Sequence, residues 1–332
     1  MKRLLLFAVI PVLMMQGCDK DTDYHCCTAS VTVKLHEKAG TKVTGSDESL
    51  LPDEEAVHSV QIFVFNSDGS LDCTGYDPDV TDNRFSMTLE VSTGDGKDFC
   101  ALVNSGEVDV SDGSQDSLED LMSYIDENSP SSFVMYGKTS GIDIEGDGET
   151  VTIPVHRLVS KVILGDVSAD FQESTATSVT IRSIYLTNVN TAVSLGGGGI
   201  ARVSDWLHQR GWSDEGTVEQ LLTDDVGKTV RDGDTLGERH SFYSGPNPTT
   251  ADTHDESSAF TVRHTRLVID TDLGYYHVDL PVMESNKVYL ISGAKITGEG
   301  AMTPEEHLSR SSVTFDVYVA DWETGATYTE NI

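Results

Sequence analysis

The stretch Phe85-Ser86-Met87-Thr88-Leu89-Glu90-Val91 alternates apolar and polar residues without a break. Successive side chains of a strand point to opposite faces, so a period of two predicts a strand with one face on a core and one in water. The same pattern sets Val31, Val33 and Leu35 against Thr32, Lys34 and His36, and sets Val313, Phe315, Val317 and Val319 against Thr314, Asp316 and Tyr318. Such alternation marks antiparallel sheets covered on one side. Val60-Gln61-Ile62-Phe63-Val64-Phe65 and the run Val159 to Leu164 are apolar on both faces, which predicts central strands covered by a further element. Turn formers separate the runs, at 66–70, 93–96, 143–148 and 196–199. Short strands punctuated in this way predict an all-β sandwich architecture rather than βαβ units.

Helical periodicity is sparse. Leu118, Leu121, Met122 and Ile125 fall on one helical face behind a cap at Asp116, and Thr217 with Gln220 forms a second capping pattern ahead of Leu221 and Leu222. Both read as excursions between strands. The acidic, glycine-containing stretch 141–150 is the predicted boundary, giving a first domain over 18–150 and a second over 151–332. Roughly 300 residues suffice for two cores.

Residues 1–17 form a separate unit. Lys2 and Arg3 precede the apolar run Leu4 to Met15, followed by Gln16-Gly17-Cys18. The run is shorter than the ~20 residues that span a bilayer, and its basic start and small residue before the cut are those of a secretion signal. Gly17-Cys18 resembles the bacterial lipobox, although Met15 and Gln16 depart from its usual residues. The resemblance implies cleavage before Cys18 and acylation of its thiol. One acyl chain anchors weakly, at roughly 0.8 kcal/mol per buried methylene, so a lasting tether needs two or three. An ordinary signal peptide beside an unrelated cysteine is the alternative.

Loss of residues 1–17 removes two of 22 basic residues and none of 55 acidic ones, so a net charge of −33 becomes −35. So negative a surface repels phosphate backbones and anionic headgroups, which excludes nucleic acid as an expected partner. Apart from Cys18, cysteines stand at 26, 27, 73 and 100. An even remainder in an oxidising compartment permits disulfides, and Cys73 with Cys100 is the candidate pair.

Enzymatic motifs are absent from the sequence. There is no Gly-x-Ser-x-Gly elbow, HExxH helix or phosphate-binding loop. The stretch from Asp143 to Gly148 begins like a calcium loop, but position twelve is Pro154 where such a loop needs a bidentate Glu. His254-Asp255, and His264 near Asp270, read as solvated loop residues. No metal, cofactor or small-molecule substrate is expected. Trp206 and Trp212 offer stacking surfaces for sugar rings, so a glycan-binding surface lipoprotein is the competing class.

Six segments taken in order resemble the fimbrillins of type V pili. They are 60–69 (VQIFVFNSDG), 135–138 (MYGK), 155–162 (VHRLVSKV), 242–248 (FYSGPNP), 287–290 (KVYL) and Asp321-Trp322. The resemblance implies two tandem transthyretin-like β-sandwich domains and export as a lipoprotein. It also implies assembly by strand addition, in which one subunit's strand fills a groove in the next. In stalk and tip subunits a trypsin-like protease opens that groove by cutting after an arginine. Here no arginine lies between Arg3 and Arg84. A cut at Arg84 would take the strand near Val60 as well as the first, so the first strand and its lipid are expected to be retained. The expected role is therefore the anchor that ends the fibre at the outer membrane, with a stalk or tip pilin as the alternative. Fimbrial stalk subunits are the expected partners. The tail after Trp322 keeps only Ala326, Tyr328 and Ile332 as alternating apolar positions, a weak pattern for a donated strand.

Overall fold

The computed structural model describes residues 28–36, 56–81, 85–110, 112–124, 131–171, 174–197, 222–250, 263–304 and 312–322, with Glu54, Ser129, Glu306, Leu308 and the short strands 206–207 and 327–329. The signal segment, Cys18, Cys26-Cys27, Trp212, His254-Asp255 and the helix predicted at Thr217 lie outside these residues.

The first sheet is built from β1 (Thr28–His36), β2 (Val60–Phe65), β3 (Leu71–Asp77), β4 (Ser86–Ser92), β5 (Gly94–Val103), β7 (Met135–Ile144) and β8 (Thr150–Arg157). A short helix α1 (Gln115–Glu119) and β6 (Met122–Tyr124) come between β5 and β7. Its strand order is β3-β2-β5-β7-β8-β1-β4. The sheet folds over itself at β8. Val155 to Arg157 pair antiparallel with β7, while Thr150 to Pro154 pair parallel with β1. The enclosed core takes Val31 and Val33 from β1, Ile62 and Val64 from β2, Leu89 and Val91 from β4, Phe99 and Ala101 from β5, and Val151 and Ile153 from β8. The two edges close against each other, since Gly75 of β3 sits where a Cβ would lie 2.5 Å from Met87 Sδ of β4.

Alternation in β1 and β4 is that predicted from sequence. In β2 all six residues are buried because its other face is covered too. Phe63 and Phe65, with Leu102 of β5, pack under Leu118 of α1 and under Val193 and Leu195. The predicted helix is cut short. Ser114, not Asp116, caps α1 by accepting from Ser117 N, and Met122 already lies in β6, where it pairs with Ser194. Strand pairing wins over helical periodicity because it satisfies backbone groups that a one-turn helix leaves open.

Lys138 of β7 ties α1 to the sheet through Glu119 and Asp98, each at 3.1 Å. Burial alone would raise the Asp98 pKa. Lys138, the N–H of Gly141 and the Gln115 amide instead hold it below 3.8. A depressed carboxyl contributes stability above its unfolded value and loses it as pH falls through the folded value. Asp98→Asn should therefore flatten the acid limb of a stability-against-pH curve below about pH 4, leaving the slope near neutrality unchanged.

The rest of the chain forms β9 (Ser160–Ala169), β10 (Ser178–Thr187), β11 (Val189–Asn190), β12 (Ala192–Ser194), β13 (Trp206–Leu207), β14 (Leu222–Arg231), β15 (Thr235–Leu236), β16 (His240–Ser244), β17 (Arg266–Thr271), β18 (Gly274–Asp279), β19 (Lys287–Ile296), β20 (Val313–Asp321) and β21 (Thr327–Thr329). Of these, β12 returns to pair with β6 on the first sandwich, and the others build the second, with β11 and β13 pairing each other. A four-stranded sheet, β14-β10-β17-β18, faces a six-stranded one in which β15 and β16 pair one edge of β9, followed by β19, β20 and β21. Ile181, Ile184, Leu186 and Leu267 from the first meet Val162, Leu164, Tyr289 and Ile291 from the second. Among the described residues each sandwich contains one parallel pair, β1 with β8 and β9 with β19.

The boundary predicted at 150/151 falls one strand early. β8 completes the first sheet and β9 starts the second, so the chain crosses at Leu158-Val159. The acidic stretch is the β7–β8 turn. Asp143 accepts from Gly96 N, Asp147 from Ser30 N, and Glu149 from Glu145 N and Gly146 N. Its carboxylates cap backbone amides, which is why it looked like a linker.

Candidate functional site: the first-strand groove and the junction

β1 occupies a groove between β4 and β8. Its antiparallel register with β4 runs from Thr28↔Ser92 to Lys34↔Ser86, and its parallel register with β8 from Thr32↔Thr150 to His36↔Pro154. Ala29, Val31 and Val33 are fully buried, and Leu35 packs on the same core. The β7–β8 turn fastens it, with Ser30 N donating to Asp147 Oδ1 at 2.8 Å and Gly148 N to Ser30 O at 2.9 Å. Without β1, two strand edges and a row of apolar slots would face water. That is a site complementary to one extended segment with alternate greasy side chains.

At the other end of the chain, β21 pairs antiparallel with β20 along Tyr318↔Thr329, Val319↔Tyr328 and Ala320↔Thr327. Residues 327–329 of the tail weighed above as a donor thus pair with their own sheet. Six residues of β20, 313–317 and 321, lie outside that pairing.

Between the sandwiches lies an aromatic and charged junction. Phe133, Tyr243 and Trp322 pack with ring centroids 4.8 to 6.1 Å apart, alongside Val159 and Val288. Arg157 lies 4.8 Å over the Trp322 ring, and Lys161 Nζ 6.0 Å from it. Glu54 reaches into the cluster. Its carboxylate accepts from Lys161 Nζ and from Tyr243 OH, both at 2.6 Å, and its carbonyl from Arg157 Nε at 3.0 Å. Burial, then the hydrogen bond to Glu54, pushes the Tyr243 phenol well above its usual value, so it stays a donor. Asn286 adopts left-handed backbone (φ 61°), its N–H reaching Val159 O and its carbonyl taking the Trp322 N–H. Four segments that carried the resemblance, through Arg157, Val159 and Lys161, Tyr243, Val288 and Trp322, therefore meet in one place. Glu54 escaped the sequence reading because a lone acid in a loop gives no sign of burial.

The candidate disulfide is not formed. Cys73 and Cys100 are free thiols. Cys73 opposes Val64 from one side of β2 and Cys100 opposes Phe63 from the other, so they occupy opposite faces of the sheet with a strand between them. Two strand spacings, about 9–10 Å, exceed the ~7 Å limit between alpha carbons of a bridge. Burial raises both thiols to about 11. Neither should react with iodoacetamide at pH 8 in the folded protein, and both should react once it is unfolded, as read by peptide mapping.

Trp206 lies in β13, where its backbone pairs with Asn190. Asp270 is engaged by Arg182 at 3.1 Å. Among the described residues no helix is long and apolar enough to cross a membrane.

Comparison with known proteins agrees with this architecture. Residues 29–153 match the sequence pattern of the family described as major fimbrial subunit protein (FimA). No curated protein sequence matches. A fimbrilin (FimA) from Porphyromonas gingivalis superposes with a TM-score of 0.63 at 14% identity, covering 89% of this chain and 98% of that one. A candidate cell adhesion protein from Bacteroides eggerthii gives 0.64 at 16% identity, covering 90% and 97%. The tip fimbrial protein Mfa3 from P. gingivalis, truncated at its C-terminus, gives 0.53 at 14%, covering 89% and 100%.

The match to the FimA family lies in the first sandwich, over residues 29–153, and the likeness to the solved structures, at 14–16% identity, is one of fold.

Proposed function

We propose that this chain is a fimbrial subunit, and that it is the lipid-tethered anchor that ends the fibre at the outer membrane. The single observation that carries this reading is the position of β1, which fills its groove completely and begins ten positions after Cys18. That stretch reaches at most about 35 Å, so a chain acylated at Cys18 holds its first sandwich close to the bilayer. Removing β1 after Arg84 would also take β2 and β3, three of the seven strands of the sheet. The arginine pattern thus favours a groove that stays closed and a subunit that stops growth at one end. Its remaining assembly surface is the carboxy-terminal edge at β20 and β21, which joins the stalk by strand exchange.

The test is Cys18→Ser in the fimbriated cell. The anchor reading expects fibres shed into the medium, with this subunit soluble in the periplasm or lost with them. Cell-bound fibres in normal amount would contradict it. Deleting residues 326–332 separately asks whether the tail takes part, and unchanged attachment would remove it from the mechanism.

A further inference from the structure

The chain passes from the first sandwich to the second at Leu158-Val159, and β12 joins them again by pairing with β6; the most heavily charged buried cluster of the described structure sits beside the Leu158-Val159 crossing. Lys161 is 7% exposed, Arg157 5% and Glu54 1%. Two cations and one carboxylate in so dry a place are costly unless paired, and removing one partner of such a pair strands the other. Glu54 belongs to neither sheet. It lies on the connection from β1 to β2, whose next residues are held on the first sandwich, where Asn104 Nδ2 donates to Ala56 O at 2.8 Å and Asn104 Oδ1 accepts from His58 N at 2.8 Å. Its carboxylate meets Lys161 of β9 and Tyr243 of β16, both in the second sandwich.

We infer that Glu54 straps the two sandwiches at this crossing, its carboxylate locking the angle between them there by neutralising Lys161 beside Trp322 and Tyr243. The β6–β12 pairing ties the two bodies away from this crossing, and the strap adds a charged lock beside it. It follows that a cut on the amino side of Glu54 leaves this lock in place, while a cut between Glu54 and β2 loosens the junction. Glu54 is a positioning residue, acting through Lys161 and Tyr243 on the aromatic stack.

Hydrogen exchange on the mature chain in detergent tests this. The reporting amides are Trp322 N, bonded to Asn286 O, and Asn286 N, bonded to Val159 O. Glu54→Gln is expected to speed their exchange at least tenfold, with amides in the middle of β5 and β19 unchanged and a larger radius of gyration in small-angle scattering. The double variant Glu54→Leu with Lys161→Met removes both charges together and should restore protection at the junction. Unchanged junction exchange in Glu54→Gln would overturn the strap. So would a parallel rise in β5 and β19, which would make Glu54 a residue of general folding, or failure of the double variant to restore protection.

Discussion

Val33→Asp should release β1 from its groove and unfold the first sandwich. Val33 is fully buried among the core residues of β1, β4 and β8. Losing the valine removes about 1.5–3 kcal/mol of burial. The carboxylate that replaces it has no described cation in the core cluster, and an unpaired buried charge costs several kcal/mol more even after water enters. The sum, more than about 4 kcal/mol, compares with a whole-domain stability of ~5–15 kcal/mol. The expected result is a urea midpoint for the first sandwich near zero or a chain that does not accumulate. Lys34→Ala, one position along on the exposed face, should change stability by no more than about 0.5 kcal/mol. Equal effects at 33 and 34 would mean that β1 does not fill the groove as described.

Gly137→Ala tests the corner at which the first sheet folds over. Gly137 pairs with Val155 just beyond the point where β8 exchanges β7 for β1. A Cβ there would lie 2.0 Å from Pro154 O and 2.8 Å from its carbonyl carbon, and a backbone obstacle cannot rotate away. Overpacking usually costs ~1–3 kcal/mol, and an immovable neighbour puts this case at or above the upper end, on the order of 3 kcal/mol. Gly146→Ala, where nothing lies within 4 Å, serves as the control and should be near neutral. The second sandwich repeats the device at Gly165, which faces Ser292 O at 2.4 Å beside the other parallel pair.

Legibility in the sequence followed the physics of each element. β1, β4 and β20 were plain because one face is wet and one dry, and β2 because a second layer covers it. The fold of β8 was not, since its strand character continues straight through the change of partner and only Pro154 and Gly137 mark the corner. That displaced the domain boundary by one strand. The Cys73–Cys100 pairing failed for a related reason. Sequence spacing put both cysteines near neighbouring strands but could not tell that β2 separates them and turns them to opposite faces. At the junction, the motifs VHRLVSKV, FYSGPNP and DW were visible as separate pieces. Their convergence depends on long-range packing and on Glu54, which no local pattern announces.

The claim beneath this account is that the first strand stays in its own groove, behind a lipid. Intact mass and amino-terminal peptide analysis of the protein taken from outer membranes tests it most directly. The account predicts a chain beginning at Cys18, heavier than its sequence by two or three acyl groups, with Thr28 to His36 present. An unacylated chain beginning beyond His36 would contradict it.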